Sequence, residues 1–146
     1  LADALAVVHS KGIIHCDLTP GNVLLDAAGS PLLADFGQAH LSGDEAPALG
    51  TFFYMAPEQA EPGRRLPDTR WDVHALGALL YALITGRPPR LDTTLSRELE
   101  NTRELGHRLK RYRDGVRTAP PPREHYAARG VDRPLARIID RCLAVD

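Results

Sequence analysis

Leu1, Ala4, Leu5 and Val8 recur at helical spacing, and Lys11-Gly12 closes the run with a glycine suited to the left-handed conformation past a helix end. The spacing predicts a helix over residues 1–11, already under way at the first residue. Two short apolar runs follow, Val23-Leu24-Leu25 and Pro31-Leu32-Leu33-Ala34, separated by Asp26-Ala27-Ala28-Gly29-Ser30. Short runs around a turn predict a small β-hairpin, with Asn22 at its entrance and Asp35 at its exit. From Gln38 to Tyr54 no period persists, and Ser42-Gly43-Asp44 and Pro47 punctuate the stretch. It reads as an irregular surface segment, of a length that is uncommon unless functional.

Between Trp71 and Ile84 apolar residues fall on nearly every face (Val73, Ala75, Leu76, Ala78, Leu79, Leu80, Leu83, Ile84), which predicts a buried central helix. Leu95, Leu99, Leu105, Leu109, Tyr112 and Val116 then follow helical spacing across 92–116. Gly106 is the expected interruption, giving one broken helix or two short ones. Pro120-Pro121-Pro122 ends that region, because proline cannot donate into a helix and restricts its predecessor. Asp132 is placed to cap a last helix through Arg133-Pro134, with Leu135, Ile138, Ile139, Cys142 and Leu143 on one stripe. The predicted fold class is mainly α with a small β-hairpin.

The chain has 146 residues, the length of one domain. Eighteen basic against nineteen acidic residues leave a net charge of −1, so no global field recommends nucleic acid or an anionic membrane as a partner. The densest basic run, Lys110-Arg111-Tyr112-Arg113, reads as a solvated helix face. Cys16 and Cys142 give neither a disulfide framework nor a metal-ligand spacing, and the histidines share no ligand spacing. A reducing, cytoplasmic location is the natural expectation. No apolar run reaches the roughly 20 residues that span a bilayer, so no membrane contact is expected of this segment, although a longer parent could carry an anchor. Arginine far outnumbers lysine, with Lys11 and Lys110 the only lysines, a bias suggestive of a GC-rich bacterial genome.

Candidate chemistry lies in four short stretches: His15-Cys16-Asp17-Leu18-Thr19-Pro20-Gly21-Asn22, Asp35-Phe36-Gly37, Gly50-Thr51-Phe52-Phe53-Tyr54-Met55-Ala56-Pro57-Glu58 and Asp72-Val73-His74-Ala75-Leu76-Gly77. Phosphoryl transfer needs a carboxylate to orient the attacking hydroxyl and oxygen ligands for Mg²⁺, and Asp17, Asn22 and Asp35 supply both kinds of group. In order and spacing the stretches resemble the catalytic loop, metal-binding loop, activation-segment end and central helix of a eukaryotic-type serine/threonine protein kinase of bacterial character. The resemblance implies a protein-kinase-like fold in which residues 1–146 are the carboxy-terminal lobe, without the amino-terminal one. The catalytic loop would be 15–22, the metal loop 35–37, the activation segment 35–58 and the central helix about 71–85. By the same resemblance Asp17 orients the acceptor, Thr51 hydrogen-bonds Asp17, and Asn22 and Asp35 hold Mg²⁺ against ATP. Leu24 packs under the adenine, His15 and Phe36 belong to a buried stack linking the lobes, and Gly37 completes the metal loop. Asp72 holds the catalytic-loop backbone from beneath, a place also compatible with a helix cap. Glu58 pairs with an arginine further downstream than Asp146.

Two positions depart from the family pattern. Cys16 stands where an arginine normally receives activation-loop phosphate, so no phosphorylation-dependent ordering of 38–54 is expected. Thr19 stands where a lysine neutralises the transferring phosphoryl, and loss of one such donor lowers rates by on the order of 10²–10³. The Gly-rich phosphate loop, the strand lysine and its glutamate partner are absent from these residues. The expectation is therefore a signalling kinase that moves the γ-phosphoryl of ATP to Ser/Thr hydroxyls of protein substrates. This lobe would be inactive alone and would have the missing amino-terminal lobe as its partner. The alternatives are a pseudokinase acting as an interaction module and a small-molecule phosphotransferase, which shares the His-x-Asp-x-x-x-x-Asn loop but lacks the Met55-Ala56-Pro57-Glu58 end.

Overall fold

The computed structural model describes residues 1–36, 49–63 and 66–145. Its elements are α1 (Ala2–Ser10), β1 (Val23–Leu25), β2 (Pro31–Leu33), α2 (Leu49–Phe52), α3 (Thr69–Thr85), α4 (Thr93–Asn101), α5 (Leu105–Thr118) and α6 (Arg133–Cys142). Turns of 3₁₀ type lie at Pro20–Asn22, Pro57–Ala60 and Glu124–Ala127. The fold is mainly helical with one two-stranded antiparallel sheet, as the sequence pattern predicts.

Local chemistry sets the element ends. Gly12, at φ 73°, ends α1, and Gly86, at φ 79°, ends α3 with its N–H on the Ala82 carbonyl. Asp68, Asp92 and Asp132 cap α3, α4 and α6, each accepting from an N–H in the first helical turn. Asp72, also compatible with a cap in the sequence, lies inside the first turn of α3 and faces another element. The hairpin pairs Val23 with Leu33, Leu24 with Leu32 and Leu25 with Pro31. Its turn is closed by Asp26, whose Oδ1 accepts from the N–H groups of Ala28 and Ser30.

Three apolar clusters form the core. Leu5 and Leu18 meet Ala75 and Leu79 of α3; Ala78 and Tyr81 of α3 meet Ile139 and Leu143 beside α6; Phe52, Phe53 and Met55 meet Leu99 of α4 and Tyr112 and Val116 of α5. The α3–α6 contact is close because Gly77 lies against Cys142, where a Cβ on residue 77 would come within 2.4 Å of the Cys142 Cβ.

Four expectations change. The helix predicted to be buried all round leaves Leu83 at 73 % and Val73 at 41 % exposure, because no described element covers those two positions. The break in the 92–116 region falls at 102–104, where Thr102 turns extended and its hydroxyl donates back to the Glu98 carbonyl; Gly106 sits within the first turn of α5. Ile138 lies off the buried stripe of α6, in solvent. Within the stretch expected to be irregular, Leu49–Phe52 forms a helical turn and Phe52 and Phe53 are buried. Gly37 and the remainder of that stretch to residue 48, with Ser42, lie outside the described residues.

Candidate active site

The segment 15–22 crosses from α1 to the hairpin and is anchored on α3. Asp72 is fully buried and accepts three hydrogen bonds: from the His15 N–H (2.8 Å) and His9 Nε2 (2.7 Å) at Oδ2, and from the Cys16 N–H (2.8 Å) at Oδ1. A buried carboxylate with three donors meets the requirement that buried charge be hydrogen-bonded. The His15 ring is also fixed at both nitrogens. Nε2–H donates to the Ala34 carbonyl at 2.9 Å, and Nδ1 accepts from the Asp17 N–H at 3.3 Å, which puts the ring hydrogen on Nε2. Phe36 packs on His15 at a tilt of 49° with ring centroids 4.7 Å apart, and among the described residues only His15 of this expected buried pair is buried; Phe36 is exposed.

This anchoring presents Asp17 and Asn22 to one another. The Asn22 Nδ2 donates to the Asp17 carbonyl (2.8 Å) and to its Oδ2 (3.0 Å), and the Asn22 Oδ1 accepts no hydrogen bond among the described residues. The Ala34 N–H donates to the Asn22 carbonyl at 2.9 Å, tying the hairpin's exit to its entrance and bringing Asp35 alongside. Burial raises the Asp17 pKa above the ordinary carboxylate value; the Asn22 hydrogen bond and His15 oppose the shift, and the nearby Asp35 carboxylate adds to it. Asp35 adopts φ 57° and Cys16 φ 65°. Aspartate tolerates that region, whereas for a cysteine it costs of order 1–2 kcal/mol.

Asp17, Thr19, Thr51, Tyr54, Gln59 and Cys16 line one small cleft. Thr51 and Asp17 thus share a wall, with no hydrogen bond between them among the described residues. Glu58 is half-buried and makes no ion pair among the described residues. Leu24 is exposed on β1, apart from this cleft. Gly37 lies outside the described residues.

Sequence reasoning missed three contributors. His9 supports Asp72 across 63 positions, Gln59 Nε2 donates to the Cys16 carbonyl (2.7 Å) across 43, and the Tyr112 hydroxyl donates to the Met55 carbonyl across 57. Such long-range pairings carry no local spacing signal. Only the helical period, which places Tyr112 with Leu109 and Val116, hinted that its hydroxyl would need a buried partner.

A carboxylate steadied by an amide, and a second carboxylate beside the hairpin, are the kinds of oxygen donor that phosphoryl transfer requires. The protein kinase domain family matches residues 1–146, and the chain belongs to that family. The chain is similar to the DNA damage-responsive serine/threonine-protein kinase RqkA of Deinococcus radiodurans, with 52 % identity over 92 residues that cover 59 % of this chain and 14 % of that protein. Similarity to the serine/threonine-protein kinase PkaA of Streptomyces coelicolor is 49 % over 100 residues, 61 % of this chain and 18 % of that protein. The serine/threonine-protein kinase Pkn1 of Myxococcus xanthus is 38 % identical over 154 residues, which cover 99 % of this chain and 20 % of that protein. The chain therefore spans a fifth or less of these relatives' lengths.

Proposed function

We propose that the protein containing this chain transfers the γ-phosphoryl of ATP to Ser/Thr hydroxyls of protein substrates, and that residues 1–146 are its substrate-side, carboxy-terminal lobe. The observation that carries this reading is the Asn22 Nδ2 bond to Asp17 Oδ2, which fixes the carboxylate while leaving the amide oxygen for a cation. Asp17 accepts the hydrogen bond of the acceptor hydroxyl and takes its proton as the new oxygen–phosphorus bond forms and the bond to the bridging oxygen of ADP breaks. Its desolvation makes it a stronger base than a solvated carboxylate. Thr51, on the same cleft, delimits the acceptor's position.

The donor set suits Mg²⁺, which takes few hard protein oxygens: Asn22 Oδ1 and the Asp35 carboxylate would hold it, and it would supply charge neutralisation at the phosphates. Leu24, exposed and paired across the strands with the exposed Leu32, offers the apolar surface on which the adenine and the amino-terminal lobe would rest. Thr19 lacks the charge of a lysine, so transfer is expected to be slow. No described helix is long and apolar enough to cross a membrane. A cytoplasmic catalytic region, in a parent free to carry an anchor elsewhere, fits that observation.

The test is Mg-ATP-dependent phosphorylation by the full-length protein and its Asp17→Asn variant. Loss of about 10²–10⁴-fold in kcat is expected, the range for a positioned general base. Equal activity in both would overturn the reading and favour the second one, a pseudokinase interaction module, which the uncharged Thr19 in the cleft supports.

A further inference from the structure

Cys16 holds a left-handed conformation that an L-residue other than Asn, Asp or Gly rarely adopts, immediately before Asp17. Such strain persists where surrounding groups over-determine it. Here the backbone is gripped on every polar atom. The Cys16 N–H donates to Asp72 Oδ1 at 2.8 Å, the Cys16 carbonyl accepts from Gln59 Nε2 at 2.7 Å, and the N–H of Asp17 donates to His15 Nδ1 at 3.3 Å. The thiol contributes only a 3.8 Å contact to the Ile14 carbonyl, so the side chain does not enforce the conformation.

Two of these grips belong to α3 and to the segment itself. Gln59 comes from elsewhere: it sits in the Pro57–Ala60 turn, at the end of the stretch that carries Thr51. That turn is seated by α5, where the Tyr112 hydroxyl bonds the Met55 carbonyl and Arg117 pairs with Glu61 at 2.5 Å. Among the described residues, the Gln59 amide is the hydrogen bond that joins this turn to the peptide preceding Asp17. We propose that Gln59 is a positioning residue: its amide holds the Cys16–Asp17 peptide, so that Asp17 is aimed at an acceptor only while the Pro57–Ala60 turn is seated on α5. This rests on the phosphotransfer reading above and adds to it a coupling between the acceptor-side turn and the carboxylate.

The full-length protein is compared with Gln59→Met, which keeps the length and removes the donor, and Gln59→Lys, which restores a donor. In Gln59→Met kcat falls about tenfold with KM for Mg-ATP unchanged, the loss of one aligning hydrogen bond, and Gln59→Lys recovers most of it. A second readout needs no activity: iodoacetamide alkylation of Cys16, resolved by peptide mass spectrometry, with Cys142 as the internal reference. Releasing the peptide raises the Cys16-to-Cys142 rate ratio about threefold or more in Gln59→Met, and Gln59→Lys returns it. An unchanged ratio overturns the proposal, as does an unchanged kcat or a Gln59→Lys variant as slow as Gln59→Met. Wild-type protein without transferase activity would sink the phosphotransfer reading instead, and the thiol ratio would still decide whether Gln59 holds the peptide.

Discussion

The Asp17 carboxylate is held in a setting that raises its pKa, chiefly by burial, so the folded chain binds a proton there more tightly than the unfolded chain does. Stability contributed by that proton is present below the ordinary carboxylate pKa and is lost as pH rises through the raised one. Ionising Asp17 in the fold therefore carries a stability cost, one that the proposed base role would account for. Asp17→Asn keeps an acceptor for Asn22, so a higher Tm than wild type is expected at pH 7, with the gap closing below about pH 4. A lower Tm at pH 7 would contradict this. His74 behaves in the opposite sense. Burial inside α3, with Arg90 nearby, lowers its pKa from 6.5 to about 3. The unfolded chain binds this proton first, so stability is full above pH 6.5 and is lost as pH falls toward 3, at a limiting slope of ~1.4 kcal/mol per pH unit. Urea midpoints of His74→Gln against wild type across that window should show a shallower acid limb in the variant.

At the scale of elements, the segment carrying Asp17 is anchored on α3, which in turn meets α6 closely at Gly77. Gly77→Ala would drive a Cβ to 2.4 Å from the Cys142 Cβ, so the helices must separate. A destabilisation of about 1–3 kcal/mol is expected in urea titrations. Cys142→Ser should not relieve it, since serine keeps the Cβ, whereas Cys142→Gly should relieve it in part. Much of this element was legible beforehand. Its apolar run is a local signal, and so are the hairpin's two runs and the Asp132 cap, whereas its own cap, Asp68, and the Gly86 that ends it were passed over. The misjudged features depend on what lies across the fold. Apolar composition alone could not say that Leu83 and Ile138 would be left uncovered. Gly106 looked like the break because glycine is a poor helix former, but in the first turn its N–H has no helical partner to lose. Thr102 instead ends α4 by bonding its hydroxyl back to Glu98. The site divides in the same way. Asp17, Asn22 and Asp35 stood out by spacing, while His9 and Gln59, joined to their partners across many residues, did not.

At the scale of the whole molecule, the hairpin leaves paired leucines in solvent on its outer face. Leu24 and Leu32 face each other across the two strands at 54 % and 49 % exposure. The opposite face of the hairpin, through Val23 and Leu33, already packs on the cluster of Leu5, Leu18 and Leu79. The outer leucines are therefore not needed to hold the sheet to the lobe, and what they contribute must come from whatever rests on them. The occupants proposed above are the adenine and the amino-terminal lobe. Leu24→Thr with Leu32→Thr places a strand-favouring β-branched residue in each strand while removing apolar surface. In the full-length protein Tm should move little, since exposed substitutions shift stability by about 0.5 kcal/mol or less. KM for Mg-ATP should rise roughly 10–100-fold, the equivalent of losing the ~1.5–3 kcal/mol that burying one leucine contributes. If KM is unmoved while Tm also holds, these leucines do not face the nucleotide. If Tm falls steeply with KM unchanged, they serve the fold of the lobe, and the hairpin's exposed face has no part in binding.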